Sequence, residues 1–331
     1  MNKSYTILFF LCLILNYSKS IDEPIEYSPY SQLIGMVRID VIDKTLQNLP
    51  EKNYADILEM LIQMSKSKEK YSLKEVESAY LAYKWIVQNI QWEGFIGNED
   101  IGKVYSSGKG NYNGISSLFN RICKYLGVYS DSISGYLKFP DLGDSPFNED
   151  FTWNYVSINN SYYLIDASLT CVYKSVEING YYKDFLFGTN PEIFIRYHFP
   201  LDNKWQLLSE PYTFQKFNSM AILLPPFNFY GLINISPDTL EINESGKIII
   251  TSDESIPDLI IESAFLNEHY RETIVNRYNI SEGKVEINFN IIKEDVIYLF
   301  LYAIRKNQNS DNAPFVAYKI NHSNNKKISL N

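Results

Sequence analysis

Thiols and imidazoles, the side chains that most often carry nucleophilic catalysis, are few in this sequence and far apart along it. The cysteines and histidines are Cys12, Cys123, Cys171, His198, His269 and His322. Cys123 falls at an inward-facing helical position among apolar neighbours, which is typical of a small buried hydrophobic residue rather than a nucleophile. In an oxidising compartment Cys123 and Cys171 could instead form a disulfide, and the sequence leaves both alternatives open.

Three further segments have the residue types and the order of a catalytic site. A glycine-punctuated turn at 108–119 leads into a helix and reads Gly-Lys-Gly-Asn-Tyr-Asn-Gly-Ile-Ser-Ser-Leu-Phe. Two strand-like segments follow, Phe-Thr-Trp-Asn at 151–154 and Tyr-Tyr-Leu-Ile-Asp-Ala at 162–167. A helix N-terminus lowers the pKa of a thiol, and adjacent strands bring a base and a carboxylate within hydrogen-bond reach.

These segments resemble the transglutaminase-like superfamily, whose Gly-x-Cys-x-Gly turn, His-Ala-Trp-Asn strand and Tyr-x-x-Asp-Ala strand carry the nucleophile, the base and the orienting carboxylate. By that resemblance Tyr112 replaces the cysteine and Phe151 replaces the histidine, while Asp166 is retained. A phenol with a pKa of about 10 and a phenyl ring cannot do the work of a thiolate and an imidazole. The resemblance therefore implies a degenerate triad with no catalytic residue, in which Asp166 has no imidazole to orient.

A scaffold that has lost its reactive pair is predicted to bind rather than to react. We expect a groove that includes Tyr112, Trp153, Asn154 and Asp166 to hold a protein or peptide segment. The alternative is an active cysteine-type transglutaminase-like peptidase or hydrolase with a displaced nucleophile. A structural protein in which neither domain binds a small ligand is a third interpretation. No Cys/His cluster indicates a metal, and no cofactor is expected.

The likeness extends to residues 84–90 and 190–208, where the sequence is similar to the kyphoscoliosis-peptidase-like branch of the superfamily. That branch implies a transglutaminase-like core followed by an immunoglobulin-like domain. Apolar periodicity agrees, because helical spacing dominates before residue 126 and two-residue alternation dominates after about residue 218. The predicted fold class is α+β: a papain/transglutaminase-like core of helices on an antiparallel sheet, then an all-β sandwich. The predicted domains are 21–210 and 211–322, with a polar tail at 323–331.

Local patterns predict the elements that position the site. Helices are predicted at 54–65, 73–90 and 113–126, and strands at 129–139, 152–158 and 161–165. Residues 66–70 are interpreted as a charged break, Ser72 as the N-cap of the second helix and residues 36–42 as extended chain. An Asn159-Asn160 turn is expected to join the last two strands.

The N-terminal 20 residues have the charged start, short apolar run and small-residue end of a signal peptide, with an uncleaved anchor as the alternative. We therefore expect a secreted or secretory-pathway protein with no integral membrane segment in the mature chain. Acceptor sequons for N-glycosylation occur at Asn159, Asn243, Asn279 and Asn321. The net charge of -9 argues against a nucleic-acid partner, because phosphate binding needs clustered basic residues.

Overall fold

The chain divides into two compact units, which meet in sequence between Tyr212 and Thr213. The structure is a computed structural model that describes residues 31–49, 57–138, 147–175, 184–224, 227, 231–252, 259–267, 272–280, 283–291, 296–305 and 314–321. The predicted signal peptide, the polar tail, His269 and His322 lie outside these residues. The architecture is α+β, with helices and a small sheet in the first unit and mainly strands in the second.

Seven helices of the first unit lie in the described residues. They are α1 (Ile39–Gln47), α2 (Ile57–Tyr71), α3 (Glu75–Asn89), α4 (Ile101–Ser107), α5 (Tyr112–Tyr125), α6 (Ala167–Ser175) and α7 (Pro191–Phe194). Helix α3 is buried along most of its length and carries Tyr80, Tyr83 and Trp85 into the core. Its Tyr80 hydroxyl donates to the Asp184 carboxylate at 2.7 Å, so this buried hydroxyl is paired.

Two predictions for the N-terminal segments are wrong. Residues 36–42 were expected to be extended because valine and isoleucine alternate with polar residues there, but α1 begins at Ile39 and buries Ile42 and Thr45 at helical spacing. Residues 66–70 do not break α2, since lysine and glutamate are good helix formers on a solvent-facing side.

Glu77, rather than Ser72 and Glu75, fixes the start of α3. Its carboxylate accepts a hydrogen bond from the Lys74 backbone N–H at 2.8 Å and from Arg38 Nη2 at 2.7 Å. Burial alone would raise the pKa of Glu77, but the hydrogen bonds from Arg38 and the backbone outweigh it and hold that pKa below its ordinary value. Ser72 has a left-handed φ of 47° and lies in the turn before the helix.

The first unit contains an antiparallel sheet on which α5 packs. Its strands are β3 (Tyr129–Lys138), β4 (Phe147–Ile158), β5 (Ser161–Ile165) and β6 (His198–Pro200), in the order β5-β4-β3-β6. The predicted turn is confirmed, because Asn159 and Asn160 join β4 to β5 with φ values of 51° and 63°. A separate parallel pair, β1 (Gln91–Trp92) and β2 (Lys109–Gly110), leads into α5.

Gly135 in β3 permits the close approach of β6. A Cβ atom on this residue would lie 2.2 Å from the Phe199 carbonyl oxygen and 2.5 Å from the Trp153 ring. A larger residue would therefore push β6 and Trp153 away from β3.

In its described residues, the second unit has two sheets around an apolar core, after a short helix α8 (Phe214–Ser219). Its strands are β7 (Ile222–Leu223), β8 (Leu232–Ser236), β9 (Glu241–Asn243), β10 (Ser245–Ser252), β11 (Leu259–Asn267), β12 (Glu272–Asn279), β13 (Lys284–Asn290), β14 (Val296–Arg305) and β15 (Pro314–Asn321). One sheet has the order β13-β10-β8, and the other contains β12-β11-β14-β15-β7, with β9 paired to β15. Side chains alternate between buried and exposed along β10 and β13, which is the pattern of a sheet with one solvated face.

No helix within the described residues is long and apolar enough to cross a membrane.

Candidate functional site

The start of α5 is held by its neighbouring loop. Asn111 caps the helix, because its Oδ1 accepts the Gly114 N–H at 2.9 Å, while its Nδ2 donates to Glu99 Oε1 at 3.0 Å. Gly114 is packed so closely that a Cβ there would lie 2.3 Å from the Asn98 carbonyl oxygen. The glycine of the turn thus lets residues 98–99 lie against the first turn of the helix, beside Tyr112.

Tyr112 and Phe151 form an aromatic stack where the nucleophile and base of an active relative are expected. Their ring centroids are 5.0 Å apart with an angle of 28° between the planes. Phe95 packs against Tyr112, with 6.0 Å between the two ring centroids. Phe151 is buried and Tyr112 is half-buried. The predicted degenerate positions 112 and 151 are therefore brought together, and their contact is apolar.

Asp166 makes three hydrogen bonds through its fully buried carboxylate. Oδ1 accepts from the Ser168 hydroxyl at 2.6 Å and from the Leu169 backbone N–H at 2.8 Å, which caps α6. Oδ2 lies 2.8 Å from His198 Nε2. The expectation that Asp166 has no imidazole to orient is therefore wrong.

His198 is the first residue of β6, and its ring lies in an aromatic pocket. Phe194 stacks on the ring at 4.0 Å and Trp153 meets it edge-on at 4.9 Å, whereas the Phe151 ring is 6.2 Å away. Because the carboxylate of Asp166 accepts, Nε2 of His198 is the donor of this hydrogen bond. Nδ1 is buried and has no hydrogen-bond partner. A proton on Nδ1 would thus have no acceptor in this pocket.

The sequence contained a weak signal for this pair. Asp166 follows the apolar run Leu164-Ile165 and precedes Ala167, a pattern that indicates a position near the core, where a carboxylate needs a partner. His198 lies between the aromatic residues Tyr197 and Phe199, which likewise indicates a position near the core. Nothing local connects the two residues, because they are 32 positions apart.

Trp153 and Asn154 are buried and stabilise the fold, and they are not part of a surface groove. Both are 1% exposed. Asn154 Nδ2 lies within hydrogen-bond distance of Ser116 Oγ at 2.9 Å and Asn120 Oδ1 at 3.0 Å, and it thereby ties β4 to α5. With Asp166 also fully buried, only Tyr112 of the four predicted groove residues reaches the surface. The groove prediction needs this correction, since a ligand could not touch the other three without a rearrangement.

Both described cysteines are poor nucleophiles. Cys123 and Cys171 are unpaired and buried. Burial raises the pKa of the Cys123 thiol above its ordinary value, and burial raises the pKa of Cys171 to about 12. Neither residue is a thiolate at neutral pH. Within the described residues, no group of three or more His, Cys, Asp or Glu side chains could hold a metal ion.

Comparison with known proteins shows what this chain is similar to. No protein-family model matches it. It is 26% identical over 200 residues to kyphoscoliosis peptidase of Mus musculus, which covers 56% of this chain and 30% of the relative. It is 25% identical over 230 residues to hillarin of Drosophila melanogaster, covering 62% of this chain and 27% of the relative. The LIM and transglutaminase domain protein ltd-1 of Caenorhabditis elegans is 25% identical over 178 residues, covering 48% and 25%.

The motifs of the chain and these relatives together support a likeness to the transglutaminase-like superfamily. Within that superfamily they support the kyphoscoliosis-peptidase-like branch. It spans about 30% of the length of the kyphoscoliosis peptidases of mouse and Homo sapiens, so the similarity covers only part of those proteins.

Two solved structures resemble parts of the chain. They are a putative protease from Parabacteroides distasonis, with a TM-score of 0.26 and 16% identity over 39% of this chain and 26% of that one, and a TGase, with a TM-score of 0.26 and 10% identity over 39% and 37%. Overlaps of this quality carry no inference about function.

Proposed function

We propose that this chain is a secreted, catalytically inactive transglutaminase-like protein that binds or scaffolds a protein partner. The stack of Tyr112 on Phe151 carries the proposal. A thiolate nucleophile and an imidazole base would have to occupy these positions, and two aromatic rings in contact fill them instead. Removal of both groups removes the covalent route, which contributes many orders of magnitude to the rate in enzymes of this kind.

The remaining reactive groups near the stack are engaged in the fold. His198 is fully buried and its Nε2 hydrogen-bonds Asp166, so it is not presented to a substrate. The Ser116 hydroxyl lies close to Ser132 and Asn154, which are not bases. Cys123 and Cys171 are buried and protonated at neutral pH. These observations favour binding over the alternative of a displaced nucleophile.

The surface beside the stack is suited to an apolar side chain of a partner. Ile96 is 92% exposed, an unusual exposure for a large aliphatic residue, and its neighbour Phe95 contacts the half-buried Tyr112. An exposed aliphatic group next to aromatic rings is typical of a protein contact, because burial of aromatic and aliphatic anchors supplies most binding energy. We define Phe95, Ile96 and Tyr112 as the entrance surface.

The first experiment measures chemistry and binding on the same protein. Purified full-length protein is incubated with an iodoacetamide-based thiol probe and assayed for amidase and transamidase turnover, and then used to screen a peptide array. We expect no native-state labelling, no turnover, and capture of peptides with aliphatic or aromatic residues. Thiol-dependent turnover that Cys123→Ala abolishes would overturn the proposal and support the displaced-nucleophile enzyme.

A matched pair of variants locates the binding surface. Ile96→Lys should lower the affinity for a captured peptide by at least about 10-fold, the effect of about 1.4 kcal/mol. Leu201→Lys makes the same change at an exposed aliphatic residue outside the entrance surface, where Leu201 is 64% exposed, and should leave affinity unchanged. Equal affinity of Ile96→Lys and the parent protein would contradict a role for the entrance surface.

A further inference from the structure

A cavity of about 920 Å³ lies on the first unit, between the N-terminal segment and the β4–β5 turn. Its lining includes Met36, Lys74, Glu75, Tyr129, Ile158 and Asn159. We name it the hairpin cavity. The volume is in the range that holds a drug-sized ligand, which is also the size of a disaccharide.

The walls of the hairpin cavity combine apolar and charged groups. Met36 is 48% exposed and Tyr129 is 62% exposed, which is high for large hydrophobic side chains. Lys74 and Glu75 are exposed at the start of α3. An aromatic ring and a thioether beside a cation and a carboxylate match the two kinds of surface on a sugar, whose C–H faces are apolar and whose hydroxyls hydrogen-bond.

Asn159 stands at the rim of this cavity and belongs to the acceptor sequence Asn159-Asn160-Ser161. Its backbone N–H donates to Glu75 Oε2 at 3.2 Å, which fixes the turn over the cavity while the residue remains exposed. Tyr129 is the register partner of Ser157, two residues before Asn159 on the neighbouring strand. Tyr129 and Asn159 therefore lie near each other on paired strands and both line the cavity.

We propose that Asn159 carries an N-linked glycan whose first N-acetylglucosamine residues occupy the hairpin cavity against Tyr129 and Met36. The sugar donor is the lipid-linked diphosphate oligosaccharide of the secretory pathway. The Asn159 amide nitrogen forms a bond to the sugar C1 and loses a proton, while the bond from C1 to phosphate oxygen breaks and the lipid diphosphate leaves. The inference rests on the secretory entry that is part of the proposed function.

The other described acceptor residues are in different surroundings. Asn243, Asn279 and Asn321 are exposed and each ends a strand of the second unit. Asn243 and Asn321 are moreover register partners on β9 and β15, so their side chains are neighbours on one face. Asn159 lies at a turn, beside a cavity with an exposed aromatic wall.

The glycan at Asn159 has a consequence for stability that can be measured. It covers Met36 and Tyr129 and so connects the segment before α1 to the β4–β5 turn. All four tryptophans of the chain precede residue 213, so tryptophan fluorescence reports melting of the first unit alone. Binding of a group to the folded state raises the melting temperature of the unit that holds it.

The test removes the glycan without disturbing the turn. Asn159 has a left-handed φ of 51°, which asparagine tolerates better than most residues, so the acceptor sequence is destroyed by Ser161→Ala instead. The full chain is expressed in a glycosylating eukaryotic host, once with its own N-terminus and once with a heterologous signal peptide before residue 21. Asn159 occupancy is measured by glycopeptide mass spectrometry. The parent protein, Ser161→Ala, Tyr129→Ser and the double variant are melted, both from this host and from bacteria, which add no such glycan.

We expect occupancy at Asn159 and a melting temperature about 2–4 °C above that of Ser161→Ala from the same host, the shift of a modest stabilisation in a unit of this size. The difference should vanish in the Tyr129→Ser background and in bacterial protein. An unmodified Asn159 in the chain with the heterologous signal would overturn the inference, as would an equal glycan effect with and without Tyr129. Modification that requires the heterologous signal would contradict native secretion and, with it, the glycan at Asn159 in the native protein, whereas an unmodified Asn159 with that signal would show that the site itself is not an acceptor. Loss of peptide binding by the entrance surface is a separate outcome and does not bear on Asn159.

Discussion

Replacing Asp166 by alanine should destabilise the first unit by about 2–4 kcal/mol. Loss of the cap on α6 contributes about 1 kcal/mol. The buried N–H of His198 is left without an acceptor, which contributes about 1–3 kcal/mol more. In a unit of this size the melting temperature should fall by about 5–15 °C. These figures follow from the parent structure, in which the fully buried Asp166 carboxylate makes hydrogen bonds of 2.6, 2.8 and 2.8 Å.

Asp166→Asn separates the two contributions. The amide oxygen can still cap α6, but the amide nitrogen faces His198 Nε2 and forces the proton to Nδ1. Nδ1 is buried without a partner, so the variant should lose about 1–3 kcal/mol. His198→Phe removes that unpaired donor, and the double variant should therefore lose less than the sum of the two single variants.

The assay is urea unfolding followed by tryptophan fluorescence, because Trp85, Trp92, Trp153 and Trp205 all lie in the first unit. A loss below about 1 kcal/mol in Asp166→Ala would refute the reasoning, since removal of a cap and of a buried acceptor should each exceed a surface substitution. Equal losses in the alanine and asparagine variants would refute the division between cap and imidazole.

Three further predictions concern the same unit. Gly135→Ala should lower the free energy of unfolding by about 1–3 kcal/mol or more, because its Cβ would lie 2.2 Å from a carbonyl oxygen of β6. Gly35→Ala is the control, since the new atom has open space around it, and this variant should melt close to the parent. Similar melting temperatures of the two variants would contradict the packing account. The pKa of Glu77 is held below its ordinary 4.5. The stability advantage of the parent over Glu77→Gln should therefore be complete above pH 4.5 and should disappear as the pH falls through the folded-state pKa. A difference in urea unfolding that does not depend on pH would count against this. Cys123 and Cys171 should react with a thiol reagent at pH 8 only in denaturant, and stoichiometric labelling of native protein would show that their burial is wrong.

Local signals predicted the elements around the site well. The helix expected at 113–126 is α5 at Tyr112–Tyr125, and the strand expected at 161–165 is β5. These elements have strong apolar periodicity, and the expected turn at Asn159-Asn160 lies between β4 and β5. The predicted start at residue 113 is one residue later than the observed start at Tyr112.

The sequence did not predict the contacts between residues that are far apart along the chain. The helix α1 was missed because its start depends on contacts from Arg38 to Glu77, which is 39 positions away. The imidazole beside Asp166 was missed for the same reason, since His198 reaches it only when β6 joins β3. A sequence motif also does not predict how deeply its residues are buried. Trp153 and Asn154 match the motif of the superfamily, yet their burial follows from the close approach of β3, β6 and α5.

The three bonds of Asp166 also bear on how inactive chains of this class are recognised. A carboxylate that starts a helix and holds a buried ring is needed whether or not any reaction occurs nearby, so its survival carries no information about turnover. The positions 112 and 151, by contrast, are those that the resemblance assigns to the nucleophile and the base, and in this chain they carry two aromatic rings in contact. Residue identity at those two places is thus the better diagnostic of chemistry lost or kept.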